Sequence, residues 1–251
     1  SEFKSYGNWK GVMFGPELEF LTVDDKYRPV DAHGILIESK YYGNCIKREL
    51  TNEQIEICVE PSEDLNDLYE RVKKVLDDSI KLCRNHGISL LPVALYHDYR
   101  LMSLNSDRRY KGIMKILGDD MEEYVFPVNG DHINIGAGSD EEALEIHNRF
   151  RSLLPYIEGL GVSSPFRNGR LSTIKAQRIC NLNKIISKFS KDSSFPRRLE
   201  SIEDYIRDIE RNSPEVDLSI YYPLIRMKPN SGVAAEIRTL DKQPSLKETM
   251  G

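Results

Sequence analysis

Apolar residues recur at helical spacing in three stretches of the chain and alternate with polar ones in several others. From about Glu63 to Asn85, the residues Leu65, Leu68, Val72, Val75, Leu76, Ile80 and Cys83 form one stripe. This predicts an amphipathic helix with Ser62 as its cap and Gly87 past its end. A second helix is expected from Ser139, where Ser139-x-x-Glu142 reads as a capping box ahead of Leu144, Ile146, Phe150, Leu153 and Leu154; Pro155 should bend or end it. A third spans about Ile202–Arg211, capped by Ser201, with Ile202, Tyr205, Ile206 and Ile209 on one face. Strands are predicted at Val12–Val23, Gln54–Val59, Ile88–Leu95, His132–Gly136, Tyr221–Met227 and Ala234–Leu240. Strands joined by loops or single helices point to an α+β fold, a largely antiparallel curved sheet with helices packed on one face. No internal repeat, low-complexity tract or Pro/Gly/Ser linker breaks the chain, so residues 1–251 are expected to form a single domain.

The informative feature is the charge placed inside these strands. In Gly15-Pro16-Glu17-Leu18-Glu19-Phe20, period two puts Glu17 and Glu19 on one face and Leu18 and Phe20 on the other. Glu56 lies within Gln54-Ile55-Glu56-Ile57, with Glu49 seven positions before it and Glu53 between. His132 and Asn134 share a face in Asp131-His132-Ile133-Asn134-Ile135, as do Glu236 and Arg238 in Ala235-Glu236-Ile237-Arg238. One such pair is the ordinary solvated face of a strand. Four strands with acidic, imidazole or guanidinium groups on one face predict a shared pocket.

Clustered carboxylates repel one another and need cations to stay ionised together. An oxygen-rich set with one imidazole suits hard divalent ions such as Mg²⁺ or Mn²⁺. The basic residues Arg167, Arg170, Lys175, Arg178, Arg226 and Arg238 are then candidates for a phosphate-bearing partner, since guanidinium pairs bidentately with phosphate. Together these groups read as metal-assisted phosphoryl transfer from a nucleotide. Neither a GxxxxGK[ST] nor a GxGxxG motif occurs, which disfavours P-loop and Rossmann folds.

Composition narrows the partners. A formal net charge of −5 with 30% charged residues argues against a general nucleic-acid binder. No run approaches the ~20 apolar residues that span a bilayer. The polar start lacks a signal peptide and an initiator Met, so Ser1-Glu2-Phe3 reads as a cloning remnant and the protein is expected in the cytoplasm. Four cysteines without a CxxC pair read as reduced thiols, and Cys58, beside Glu56, as a small buried residue rather than a nucleophile. The tyrosine pairs at 41–42 and 221–222 and the Tyr96–Tyr99 stretch read as core or interface, with no basic stripe between them to stack bases.

The segments GPELEF (15–20), ELTNEQIEI (49–57), RYKGI (109–113), GDHINIG (130–136), LPYIEGLGVSSPFRNGR (154–170) and IRMKP…AAEIRTLDKQP (225–244) together resemble the glutamate–cysteine ligase family of the carboxylate–amine ligase type. The family's fold is that of the glutamine synthetase catalytic domain. The resemblance implies an ATP- and Mg²⁺-dependent ligase: the γ-carboxylate of glutamate would be phosphorylated by ATP, and an amine, cysteine in the named activity, would attack the acyl phosphate. It also implies that Glu17, Glu19, Glu49, Glu56, His132 and Glu236 hold metal ions. Arg238 and Arg178 would neutralise phosphate charge, and Arg226 and Asn134 would fall at the nucleotide or substrate. Asn134 stands where many members carry a second histidine, and Leu171-Ser172-Thr173-Ile174 replaces their usual Asp-Thr-Gly-Tyr. Members continue past the Glu236–Arg238 strand into a helical portion that this sequence is expected to lack. A different amine acceptor, a metal-dependent phosphohydrolase and a non-catalytic nucleotide-binding homologue stay open as alternatives, as does a homo-oligomer.

Overall fold

The alternation in Met13–Val23 makes this segment, β1, the strand on which the sheet is built. The computed structural model describes residues 12–189, 195–212, 223–227 and 234–250. In chain order after β1 come α1 (His33–Leu36), β2 (Ile46–Arg48), β3 (Gln54–Cys58), α2 (Leu65–Arg84) and β4 (Ser89–Leu91). Next are α3 (Arg108–Leu117), α4 (Glu122–Val125), β5 (Gly130–Gly136), α5 (Asp140–Leu160), β6 (Phe166–Arg167) and β7 (Arg170–Leu171). The last elements are α6 (Gln177–Phe189), α7 (Ile202–Asn212), β8 (Ile225–Met227), β9 (Ala234–Asp241) and α8 (Leu246–Met250).

Seven strands form one sheet in the order β2-β3-β1-β5-β9-β8, with β4 added against β1; β6 and β7 pair as a separate hairpin. Every pairing in the large sheet is antiparallel. Its strands bury Leu18, Phe20, Ile46, Ile55 and Ile57 in one cluster with Val72, Val75 and Cys83 of α2. Farther along, Ala143 of α5 packs with Met227 of β8 and with Tyr205 and Ile209 of α7. Leu21 and Val23 share the parity of Glu17 and Glu19. They join a cluster with Tyr110, Ile113 and Met114 of α3, Val125 of α4, and Leu182, Ile185 and Ile186 of α6. This apolar packing closes one end of the face that carries the acids.

The expected α+β architecture holds, with local differences that have physical reasons. Asp64, not Ser62, caps α2, accepting from the Asn66 and Asp67 amides, while the Ser62 hydroxyl accepts from Asp64 N. The Ser139 cap forms as expected, but α5 continues through Pro155 to Leu160. Pro155 lies on the exposed side, where the carbonyl that loses its donor can be hydrated. The expected strand Ile88–Leu95 shortens to β4, because Pro92 has no N–H for a ladder. Of the expected strand Tyr221–Met227, residues 221–222 lie outside the described residues and 225–227 pair as β8. Sequence patterning passed over α3 and α6, although Tyr110, Ile113, Met114 and Leu117 repeat at helical spacing.

Candidate active site

Three cross-strand rows carry the acidic face. Lys47 of β2 lies opposite Glu56 of β3, which lies opposite Glu19 of β1. Cys58 lies opposite Glu17, and Glu17 opposite His132 of β5. Gly15, Asn134, Glu236 and Arg226 make the third row, across β1, β5, β9 and β8. Directly opposed residues on a sheet point the same way, so these side chains converge.

His132 is at the centre and is buried. Its Nδ1 is 3.5 Å from Glu236 Oε1 and 3.8 Å from Glu17 Oε2, and its Nε2 is 3.7 Å from Glu19 Oε1. Asn134 Nδ2 donates to Glu17 Oε1 and to the Gly15 carbonyl, 3.1 Å each, and so orients the Glu17 carboxylate. The Gly130 amide donates to Glu19 Oε2 at 2.6 Å. Glu236 is fully buried; Arg238 Nη1 donates to its Oε1, and Arg226 Nη1 is 3.9 Å from its Oε2.

A register shift in the β5–β9 pairing, between Asp131 and Ile133, opposes His132 with an extra residue of β9. That bulge keeps Glu236 and Arg238 on the acidic face while Leu240 turns to pair with Asp131 on the other. On that other face Lys242 Nζ reaches Asp131 Oδ1 at 2.6 Å and lies 4.1 Å from the Phe20 ring centre.

Arg178, the second residue of α6, is brought in by a relay. Asp241 Oδ2 accepts from Ser164 Oγ–H (2.7 Å), and Ser164 Oγ accepts from the Arg178 amide (3.0 Å). The Arg178 side chain then donates to the Arg238 carbonyl (3.1 Å), and its Nη2 lies 3.3 Å from His132 Nε2. Only 2% of Arg178 is exposed. Room for it exists because position 130 has no side chain: a Cβ there would stand 1.9 Å from Arg178 Nη2 and 3.0 Å from His132 Nε2.

All ten residues singled out in the strands and at Arg178 therefore reach one face, Glu49 from the loop between β2 and β3. Arg167 and Arg170 instead stand on the exposed β6–β7 hairpin and Lys175 on the exposed loop after it, and none of the three pairs with the carboxylates. Sequence patterning missed Lys47, Gly130 and the Asp241–Ser164 relay. It also missed Arg109 of α3, whose positive charge acts on Glu49. The Arg109 segment was legible as a motif; the relay and the need for glycine arise only from packing.

Electrostatics follow from this crowding. Burial, then the Glu19 and Glu56 carboxylates, push the Glu49 carboxyl well above its ordinary range. Burial, then Glu17, raise Glu56, with Lys47 opposing. Burial and Glu56 push the Cys58 thiol up to about 12, so it stays protonated and inert at neutral pH. Above the ordinary 4.5, the folded chain therefore holds more protons on Glu49 and Glu56 than the unfolded chain. In chelator, the contribution of these two groups to stability should then fall as pH rises from about 4.5 through the raised values. Buried His33 and His147, held below their ordinary value, pull the other way below about pH 6.5. The test is therefore the difference between Glu56→Gln and the unchanged protein in chelator: the variant's urea midpoint should gain on the unchanged protein's from about pH 5 to pH 8, and a constant difference would refute the repulsion.

The donor set fits a divalent ion. One ligand atom each from Glu17, His132 and Glu236 lies within 4.8 Å of the others, and Asn134 Oδ1 beside them is buried without a hydrogen-bond partner. Carboxylate oxygens with one imidazole suit hard cations, and the guanidinium groups of Arg226 and Arg238 at the same edge suit phosphate oxygens.

An open antiparallel sheet with one carboxylate-rich face, α2 behind it and α3, α4 and α6 closing one end of that face, also defines the relatives of this protein. The glutamate–cysteine ligase family 2 profile matches residues 13–189, and the chain belongs to that family. A protein of Roseiflexus castenholzii provisionally named glutamate–cysteine ligase 2 is 25% identical over 236 residues, covering 90% of this chain and 60% of the relative. A protein of Archaeoglobus fulgidus without a functional name is 24% identical over 268 residues, covering 94% of this chain and 70% of its own. The fold is shared with a glutamate–cysteine ligase from Francisella tularensis solved with AMP: TM-score 0.61, 16% identity, 92% of this chain and 61% of that one. It is shared also with a bifunctional glutathione synthetase from Pasteurella multocida: TM-score 0.60, 16% identity, 95% of this chain and 37% of that one. No helix among the described residues is long and apolar enough to cross a membrane.

Proposed function

We propose that this protein is an ATP-dependent carboxylate–amine ligase that joins the γ-carboxylate of glutamate to an amine, cysteine first among them, with residues 1–251 acting as one catalytic domain. The observation that carries the reading is the convergence of Glu17, His132 and Glu236 with Arg238 and Arg226 on one sheet face, in a chain of this family. A γ-carboxylate oxygen of glutamate attacks the terminal phosphorus of ATP and ADP leaves. The amine nitrogen then attacks the acyl carbon, phosphate departs, and the amine proton is lost to solvent or a neighbouring base.

Glu17, Glu19, Glu49, Glu56, His132 and Glu236 would hold Mg²⁺, or Mn²⁺ in its place. When bound, such ions neutralise phosphate charge and polarise the P–O bonds. Arg238, held by its bond to Glu236, would neutralise the charge that develops on the transferred group. Arg226 and Asn134 border the nucleotide end. Arg178 is buried, so its charge acts on the site through His132, as a positioning residue.

The test is release of ADP and phosphate with Mg²⁺, with and without glutamate, over a panel of amines. Release that needs both glutamate and cysteine, with a γ-glutamyl product by mass, is the expected result. A preference for another amine would keep the chemistry and change the acceptor. ATP cleavage indifferent to glutamate would overturn the ligase reading in favour of a hydrolase.

A further inference from the structure

Both edge strands of the sheet present a cation to the acidic face. At one edge Arg226 of β8 faces Glu236; at the other, Lys47 of β2 faces Glu56, with Nζ 3.4 Å from Oε1. The central strands β3, β1 and β5 supply Glu56, Glu17, Glu19 and His132. The Lys47 position is set by register, one residue along β2 from Ile46, which pairs with Ile57 in the core. A shift by one residue would turn Lys47 to the core face, so its approach to Glu56 is fixed by the same packing that builds the sheet.

We propose that Lys47 is a fixed cation of the site that competes with divalent ions for the Glu49–Glu56 end of the carboxylate face. The inference rests on the metal-binding reading of that face. The second oxygen of Glu56 stays open to a metal, but the ammonium beside the first places a positive charge a few ångströms from any ion there and so weakens its binding. Displacement is feasible because β2 is an edge strand and nearly half of the Lys47 side chain is exposed. At the other end the cations on Glu236 are Arg226 and Arg238, and no lysine stands in its rows, so Lys47 bears on the Glu49–Glu56 end alone.

The test counts Mn²⁺ bound by the whole chain, from the electron paramagnetic resonance signal of free Mn²⁺, with fold checked by circular dichroism. Lys47→Met should tighten one class of Mn²⁺ binding, that of the Glu49–Glu56 end, by about tenfold, the effect of removing one nearby unit charge from a partly screened site. Lys47→Gln, a neutral variant with a polar head, should do the same, and Lys47→Arg, which keeps the charge, should bind as the unchanged protein does. Both neutral variants binding Mn²⁺ within twofold of the unchanged protein, or more weakly, would overturn the proposal and leave the metal site standing. Absence of Mn²⁺ binding in every version would overturn both.

Discussion

Replacing Gly130 by alanine should cut ATP-dependent turnover by about 10²–10³-fold while costing only about 1–3 kcal/mol of stability. The added methyl group would stand 1.9 Å from Arg178 Nη2 and 2.6 Å from its Cζ, so the guanidinium has to move. Those atoms are the far end of a side chain, and the backbone at position 130 is not in the left-handed region, so the sheet can survive. The site cannot stay as it was, because Arg178 lies against His132 Nε2 and donates to the Arg238 carbonyl. It has no exposed route by which to relocate without burying charge elsewhere. Denaturation and steady-state rates measure the two effects separately. If the clash with Arg178 is the cause, adding Arg178→Ala to Gly130→Ala should cost far less than the sum of the single changes. Additive costs, or turnover within a few-fold of the original, would show that Gly130 does not act through Arg178.

Glu17→Gln should lower turnover by about 10³-fold or more and weaken Mn²⁺ binding, with the fold intact. Glutamine keeps the shape of the side chain and an oxygen that can still accept from Asn134 Nδ2. The charge is what it removes, next to His132 and in the three-residue group that can gather around an ion. In chelator the variant should be as stable as the original or slightly more so, because the Glu17 charge raises the neighbouring Glu56 carboxyl. That opposite movement of stability and activity separates a ligand from a structural residue. A destabilised variant that still turns over ATP near the original rate would take Glu17 out of the ion-binding set.

Much of this was legible in the chain itself. Period two in Glu17–Phe20, His132–Ile135 and Glu236–Arg238 fixed which side chains share a face, because alternation in a strand is a property of the local backbone. The Ser139 cap and the stripe of the Leu65–Arg84 helix were equally local. Motif order carried the family, which the profile match over residues 13–189 bears out. Local sequence also held signals that patterning passed over, such as the apolar repeat of the Arg108–Leu117 helix.

What only the tertiary structure decided is how those faces meet. Period two says that Glu56 and Glu19 each face one way; only the register of three strands puts Lys47, Glu56 and Glu19 in one row. The bulge that separates Arg238 from Leu240 depends on β5 lying alongside β9, more than 100 residues away in sequence. The glycine at 130 reads as an ordinary strand residue until α6 delivers Arg178 into the space where its side chain would be. The physical reason is the same in each case: alternation and capping are settled by neighbours along the chain, whereas pairing register and the filling of space are settled by residues far apart in it.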